Sequence, residues 1–290
     1  MIEQTEELLK KVRQIEIKTK GLSRHLFSGE YHSAFKGKGM SFSEVRSYHY
    51  GDDVRNLDWN VTARTGAPHI KVFEEERELT LMLLIDISAS SAFGTQNALK
   101  QDIMTEISAV LAFAASQNND KVGLLLFSNC VEMYIPPKKG KAHILYLIRT
   151  LIHYKPHNKQ TDCNTALEFL NKVQKKRTIC FILSDFVSGN SYQRSLSIAT
   201  KRHDIIGIKI NDTLESELPN IGLLKVKDPE SENIIWLDTS KETLRNTYKS
   251  SFLEQEKIIE EDFSKSGAEI IKIKTTSSYI QALLHFFKNR

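Results

Sequence analysis

A chain of 290 residues with a net charge of +4 has room for one large domain or two modest ones and gives no electrostatic argument for nucleic acid. Its basic clusters, at Lys36 and Lys38, at Lys138, Lys139 and Lys141, and at Lys175, Lys176 and Arg177, lack interleaved aromatics and read as solvated surface. Three cysteines without C-x-x-C spacing argue against zinc or disulfides, an acidic start against a signal peptide, and no apolar run approaches the roughly 18 residues of a membrane span, so a soluble, cytoplasmic protein without a transmembrane segment is expected.

Residues 3–18 carry a stripe of Leu8, Leu9, Val12 and Ile15 on a charged body, the pattern of a helix packed on a larger domain. The glycine-rich stretch 27–40 lacks G-x-x-x-x-G-K-[ST] and does not lie between a strand and a helix, so it reads as a loop without a nucleotide role. Residues 46–64 concentrate tyrosine, tryptophan, three aspartates and three arginines. Their residue types fit either a buried set of Arg–carboxylate pairs or a polar recognition surface. Then Leu81 to Ile85 form an apolar run that ends in Asp86, Ser88 and Ser90. Such a run reads as a strand buried on both faces, with its polar end where open α/β sheets bind ligands. The donors on offer are hard oxygens, which suit magnesium, manganese or calcium.

The pattern Arg46…Tyr50-Gly51-Asp52-Asp53-x-Arg55-x-x-Asp58-Trp59…Arg64, followed by a D-x-S-x-S strand end, resembles the bacterial and archaeal family known as domain of unknown function fifty-eight. The resemblance extends over roughly residues 20–210. It implies a von Willebrand factor A-like domain in a cytoplasmic protein whose partners are MoxR-type AAA+ ATPases or other von Willebrand A-like proteins. It also implies a chaperone-like role in maturing partner complexes. The signature residues Arg46 to Arg64 are expected to be structural or partner-binding.

Beyond Ser91 the chain alternates helices and strands. Helices are expected over residues 97–116, 142–152, 164–174 and 191–201, and strands over 121–127, 178–183 and 204–210. Residues 131–135 read as an edge strand stopped by Pro136-Pro137. A hairpin is expected over 221–238, a long polar helix over 241–265 stopped at Gly267, a strand over 269–273 and a closing helix with Ile280, Leu283, Leu284 and Phe287 on one face. Together these predict an α/β fold: a doubly wound, mostly parallel sheet flanked by helices, Rossmann-like in its alternation. The expected division is an N-terminal, family-specific extension over residues 1–78 and a von Willebrand A-like domain over 79–290.

In the von Willebrand A fold, a metal-ion-dependent adhesion site draws oxygens from three loops at one end of the sheet. The resemblance assigns Asp86, Ser88 and Ser90 to the first loop, Thr161 to the second and Asp185 to the third, with Mg²⁺ or Mn²⁺ as the ion. Gln160 and Phe186 stand where related domains often have glycine. The simpler alternative is that Asp86 and its neighbouring hydroxyls only cap the loop and the next helix. Metal-assisted phosphoester hydrolysis is a further alternative, but it needs a second acid two residues after Asp86, where Ser88 stands. No nucleophile–base pair is evident among the scattered histidines, so a non-catalytic, metal-dependent interaction module is expected. An interaction scaffold with a vestigial metal site is the third possibility.

Overall fold

The structure, a computed structural model, describes residues 41–74, 78–94, 99–187, 191–227 and 234–290. The expected helix over 3–18, the glycine-rich loop over 27–40 and the turn of the expected hairpin lie outside these residues. The chain divides into two compact units, one within Phe35–Leu79 and one holding Thr80–Arg290.

In the smaller unit, β1 (Ser41–Ser47) pairs antiparallel with β2 (His69–Glu74), and helix α1 (Trp59–Thr65) lies between them in sequence. Asp58 starts α1 because its carboxylate accepts from the N–H groups of Asn60 and Val61, which have no partner within the helix. Gly66, at φ 72°, ends it. Arg46 grips Asp52 through two nitrogens at 2.8 and 2.9 Å, and Asp53 pairs with Arg55. The Arg–carboxylate pairs therefore form, Arg46–Asp52 half-buried and Arg55–Asp53 exposed. Tyr50 and Trp59 are exposed.

The larger unit is built on a six-stranded sheet in the order β10-β7-β6-β3-β4-β5. Its strands are β3 (Thr80–Asp86), β4 (Lys121–Phe127), β5 (Val131–Lys138), β6 (Ile179–Ser184), β7 (Asp204–Asn211) and β10 (Glu269–Lys274). All neighbours run parallel except β5, which lies antiparallel on the edge beside β4. Leu81 through Asp86 are all buried, as the unbroken apolar run requires of a central strand covered on both faces.

Seven helices in the described residues of this unit accompany the strands: α2 (Lys100–Gln117), α3 (Lys141–His153), α4 (Cys163–Val173), α5 (Gln193–Thr200), the short α6 (Thr213–Ser216), α7 (Glu242–Ser266) and α8 (Tyr279–Asn289). Met82, Leu84, Leu125 and Phe127 pack with Ala166, Leu167 and Leu170 of α4, Leu196 of α5 and Phe263 of α7. Phe181, which pairs with Leu83, meets Phe287 of α8 edge-on. Tyr279 of α8 in turn donates to Glu106 of α2 at 2.8 Å. Leu283 and Phe287 of α8 are buried as expected. A separate ribbon, β8 (Leu223–Lys227) with β9 (Ile234–Asp238), forms the expected hairpin. None of the described helices is long and apolar enough to cross a membrane.

One boundary is corrected. β5 does not stop at Pro136-Pro137 but continues to Lys138. An edge strand tolerates proline, whose missing N–H costs a ladder bond only on the paired side. The register between β4 and β5 shifts at this point. Gly123 makes room for it, since a Cβ there would lie 3.0 Å from the Ile135 carbonyl oxygen and 3.1 Å from the Pro137 nitrogen.

Candidate functional site

The strand order places β3 at the point where the progression of strands along the sheet reverses. β4 and β5 build outward in one direction, and β6, β7 and β10 in the opposite one. Open α/β sheets bind ligands beside the carboxyl ends of strands at such a point, here those of the neighbours β3 and β6. Asp86 ends β3, and Ser184 ends β6 beside it.

Asp86 is almost wholly buried, with a relative exposure of 1%. One carboxylate oxygen accepts from the Ser88 N–H at 2.9 Å and the other from the Ser184 hydroxyl at 2.6 Å. Ser184 is held in turn by accepting from the Phe186 N–H at 3.0 Å. Burial and then the charge of Asp185 push the Asp86 carboxyl up to about 6, against the hydrogen bonds from Ser184 and Ser88. Below it lies the Cys163 thiol, whose sulfur is 4.0 Å from the Ser184 hydroxyl. Burial, then the neighbouring Asp86 carboxylate, raises this thiol well above its ordinary range, so it stays a neutral core group.

The hydroxyls of Ser88 and Ser90 face one another at 3.0 Å. Ser88 stands before a short 3₁₀ turn, Ala89–Ala92, but its side chain does not cap that turn. The turn is fixed instead by Ser91, whose hydroxyl donates to the Ser88 carbonyl at 2.7 Å. The Ser88 hydroxyl also reaches the Asp86 carboxylate, so the pair adjoins Asp86 in one local network although it caps no helix.

Thr161 is nearly buried and lies in the loop before α4. That loop is brought to the β3 end by two backbone bonds, Ala89 N–H to the Lys159 carbonyl at 2.9 Å and Asp162 N–H to the Ser128 carbonyl at 3.0 Å. Asp162 then caps α4 through the Asn164 N–H at 2.9 Å. Glu132 anchors the far end of the loop, accepting from Ser128, Tyr154, His157 and Asn158.

Asp185, exposed by only 6%, follows Ser184 directly. One of its oxygens accepts from the Val187 N–H at 3.2 Å and the other from the Lys100 ammonium at 3.0 Å. The same ammonium donates to Glu215 at 2.6 Å. Phe186 shows what the departure from glycine entails. Its φ of 58° lies in the left-handed region that glycine enters freely, at a cost of about 1–2 kcal/mol for other residues. Its buried ring packs edge-on against Phe263 at 5.0 Å, which offsets that strain.

Asp86, Ser88, Ser90 and Asp185 thus gather at one sheet end, and the Thr161 loop is tied to the Ala89 backbone. Among the described residues no group of three or more His, Cys, Asp or Glu is placed to hold a metal, so any ion here would depend on hydroxyl donors. The Arg46–Arg64 signature lies in the other unit. Sequence reasoning missed Ser184, Lys100 and Glu215. Lys100 did carry a signal: a lysine opening a helix stands at the end of the helix dipole that disfavours cations.

Residues 44–258 match the family described as "Protein of unknown function DUF58". An uncharacterized protein of Mycobacterium tuberculosis is 27% identical over 281 residues, covering 96% of this chain and 88% of that one. In Bacillus subtilis, the uncharacterized protein YeaD is 28% identical over 109 residues, 38% of this chain and 25% of its own length. Among solved structures, an aerotolerance-related membrane protein from Bacteroides fragilis is similar with a TM-score of 0.50, 14% identity and coverage of 73% of this chain and 97% of that one. At that identity the likeness speaks to fold alone.

Proposed function

Because the chain belongs to the DUF58 family of proteins of unknown function, we propose that it is a non-catalytic protein-interaction module. In this reading Asp86, Ser88, Ser90, Thr161 and Asp185 hold Mg²⁺ or Mn²⁺ at the end of a doubly wound, von Willebrand A-like sheet, the hydroxyls directly and the carboxylates directly or through water. The observation that carries the proposal is the Ser88–Ser90 hydroxyl pair beside Asp86, 3.0 Å apart and not used for capping. Two oxygens that share an octahedral ion at about 2.1 Å stand about 3.0 Å from one another, so the donor set fits a small hard cation. Thiolate and imidazole donors play no part in this set, which disfavours zinc.

When bound, such an ion supplies an open coordination position that an aspartate or glutamate of a partner can fill. The chain's own residues prepare that position. Ser184 and the Ser88 N–H orient the Asp86 carboxylate, and burial keeps bulk water from competing with it. The Ser184 hydroxyl donates to Asp86 and those of Ser88 and Ser90 meet one another, with no imidazole among these bonds, which argues against a serine nucleophile. Ser88 in place of a second acid argues equally against phosphoester hydrolysis.

The proposed partner is a MoxR-type AAA+ ATPase or another von Willebrand A-like protein, and the proposed compartment is the cytoplasm. Support for both is the family signature over Arg46–Arg64 and the D-x-S-x-S strand end. Affinity capture from the native cell tests the reading. A partner should be retained in Mg²⁺, released by EDTA and lost with Asp86→Ala. Partners indifferent to both changes would remove the metal bridge.

A further inference from the structure

Lys100 is a charged side chain with no exposed surface at all. Lysine is almost never buried so completely unless paired, and this one also opens α2, where the helix dipole opposes its charge. Its burial is therefore maintained by the groups it meets, Asp185 at 3.0 Å and Glu215 at 2.6 Å. Both partners are themselves fixed. The other oxygen of Asp185 is bound by the Val187 N–H. The other oxygen of Glu215 accepts from the Asp212 N–H at 2.8 Å in a reciprocal cap of α6. Asp212 is fully buried and accepts from Thr275 at 2.8 Å. The ammonium is thus held in place from behind by α6 and the end of β10, and it faces the third loop of the site.

Resting on the metal-binding reading above, we infer that Lys100 is a built-in counter-ion that holds Asp185 out of direct contact with the ion and so sets how tightly the free protein binds it. An ammonium on one oxygen of Asp185 neutralises that carboxylate and repels a divalent cation approaching the same group. Asp86 then remains the anionic donor in direct contact, with hydroxyls completing the set. An ion held by one carboxylate stays electron-poor and accepts a partner's carboxylate more readily than one enclosed by two. Lys100 is a positioning residue in this account, acting through Asp185.

The test is titration of the full-length chain with Mn²⁺, following the loss of free-ion signal by electron paramagnetic resonance. Lys100→Met combined with Glu215→Gln removes the ammonium while leaving the Lys100–Asp185–Glu215 trio at the same net charge. Glutamine can still accept the Asp212 N–H. This double variant should bind Mn²⁺ more tightly than wild type and about tenfold more tightly than Glu215→Gln alone, the scale of removing a like charge a few ångströms away. Glu215→Gln alone, which keeps the ammonium on Asp185, should bind no more tightly than wild type. A merely structural role would lower affinity in both. In the otherwise wild-type chain, Asp185→Asn should weaken binding far less than Asp86→Ala, and this holds the inference to account even if the double variant does not fold. A folded double variant binding no better than a binding-competent wild type would overturn the role of Lys100, as would Asp185→Asn as damaging as Asp86→Ala. Binding by the double variant alone would uphold Lys100 as the site's own cation and overturn the metal bridge in the wild type. Absence of binding in every variant would overturn both.

Discussion

At the residue scale, the site depends on how one buried carboxylate is satisfied. Asp86 has 1% of its surface exposed, and a hydroxyl from a strand 98 positions away donates to it at 2.6 Å. Removing that donor by Ser184→Ala leaves a buried carboxylate oxygen without its partner, and also takes an acceptor from the Phe186 N–H. The expected loss is about 1–3 kcal/mol of stability, measured by urea unfolding. An unchanged midpoint would mean that Ser184 does not support Asp86. The two ends of this bond show what the sequence could reveal. Asp86, Ser88 and Ser90 are legible because a short pattern at the end of an apolar run carries its own chemistry. Ser184, Lys100 and Glu215 are ordinary residue types, and their roles come from contacts 85 to 115 positions apart. Such pairings follow from strand order, which no local pattern encodes.

At the scale of elements, local signals served well where hydrophobic period and burial agreed. β3, β4 and α2 were readable because covered strands and core-facing helices impose strict apolar patterns. β5 continues past its expected stop because Gly123 on its neighbour admits the backbone of Ile135 and Pro137, a feature of pairing and not of β5 itself. The loop carrying Thr161 is likewise set by a distant residue, Glu132. Burial raises the Glu132 carboxyl, but bonds from Ser128, His157, Asn158 and Tyr154 outweigh it and hold the group below the usual glutamate range. A folded-state value below the unfolded one stabilises the protein above the ordinary glutamate value of about 4.3, and that stability is lost as pH falls through the folded value. Glu132→Gln should therefore be less stable than wild type at pH 7, with the gap closing on acidification toward pH 3. Urea unfolding across that range checks this. A gap that is constant with pH would exclude the Glu132 charge as the anchor.

At the scale of the whole molecule, two units divide the signals that identify the family. The larger unit holds the oxygen cluster at the point where a mostly parallel six-stranded sheet changes direction. The smaller one holds Arg46–Arg64, in which Asp58 and Asp52 have local structural work while Tyr50 and Trp59 remain exposed. Trp59 thus separates the two meanings of the signature. Trp59→Ala should leave thermal unfolding within a few degrees of wild type, as surface substitutions typically change stability by less than about 0.5 kcal/mol. If this surface meets a partner, the variant should lose capture while staying folded, and full capture by Trp59→Ala would exclude the tryptophan as a contact. The sheet order was legible only as an α/β class, because alternation predicts parallel strands without fixing which strand is central. Once β3 is central, the hydroxyl pair, Asp86 and Asp185 converge, and the account rests on their holding a divalent ion. Isothermal titration calorimetry of the full-length protein with Mg²⁺ and Mn²⁺ is the most direct measurement of that claim. Wild type should show saturable binding of one ion per chain, and Asp86→Ala, with its fold intact by circular dichroism, should show none. A wild type without metal-binding heat, or an Asp86→Ala variant that binds as well as wild type, would contradict it.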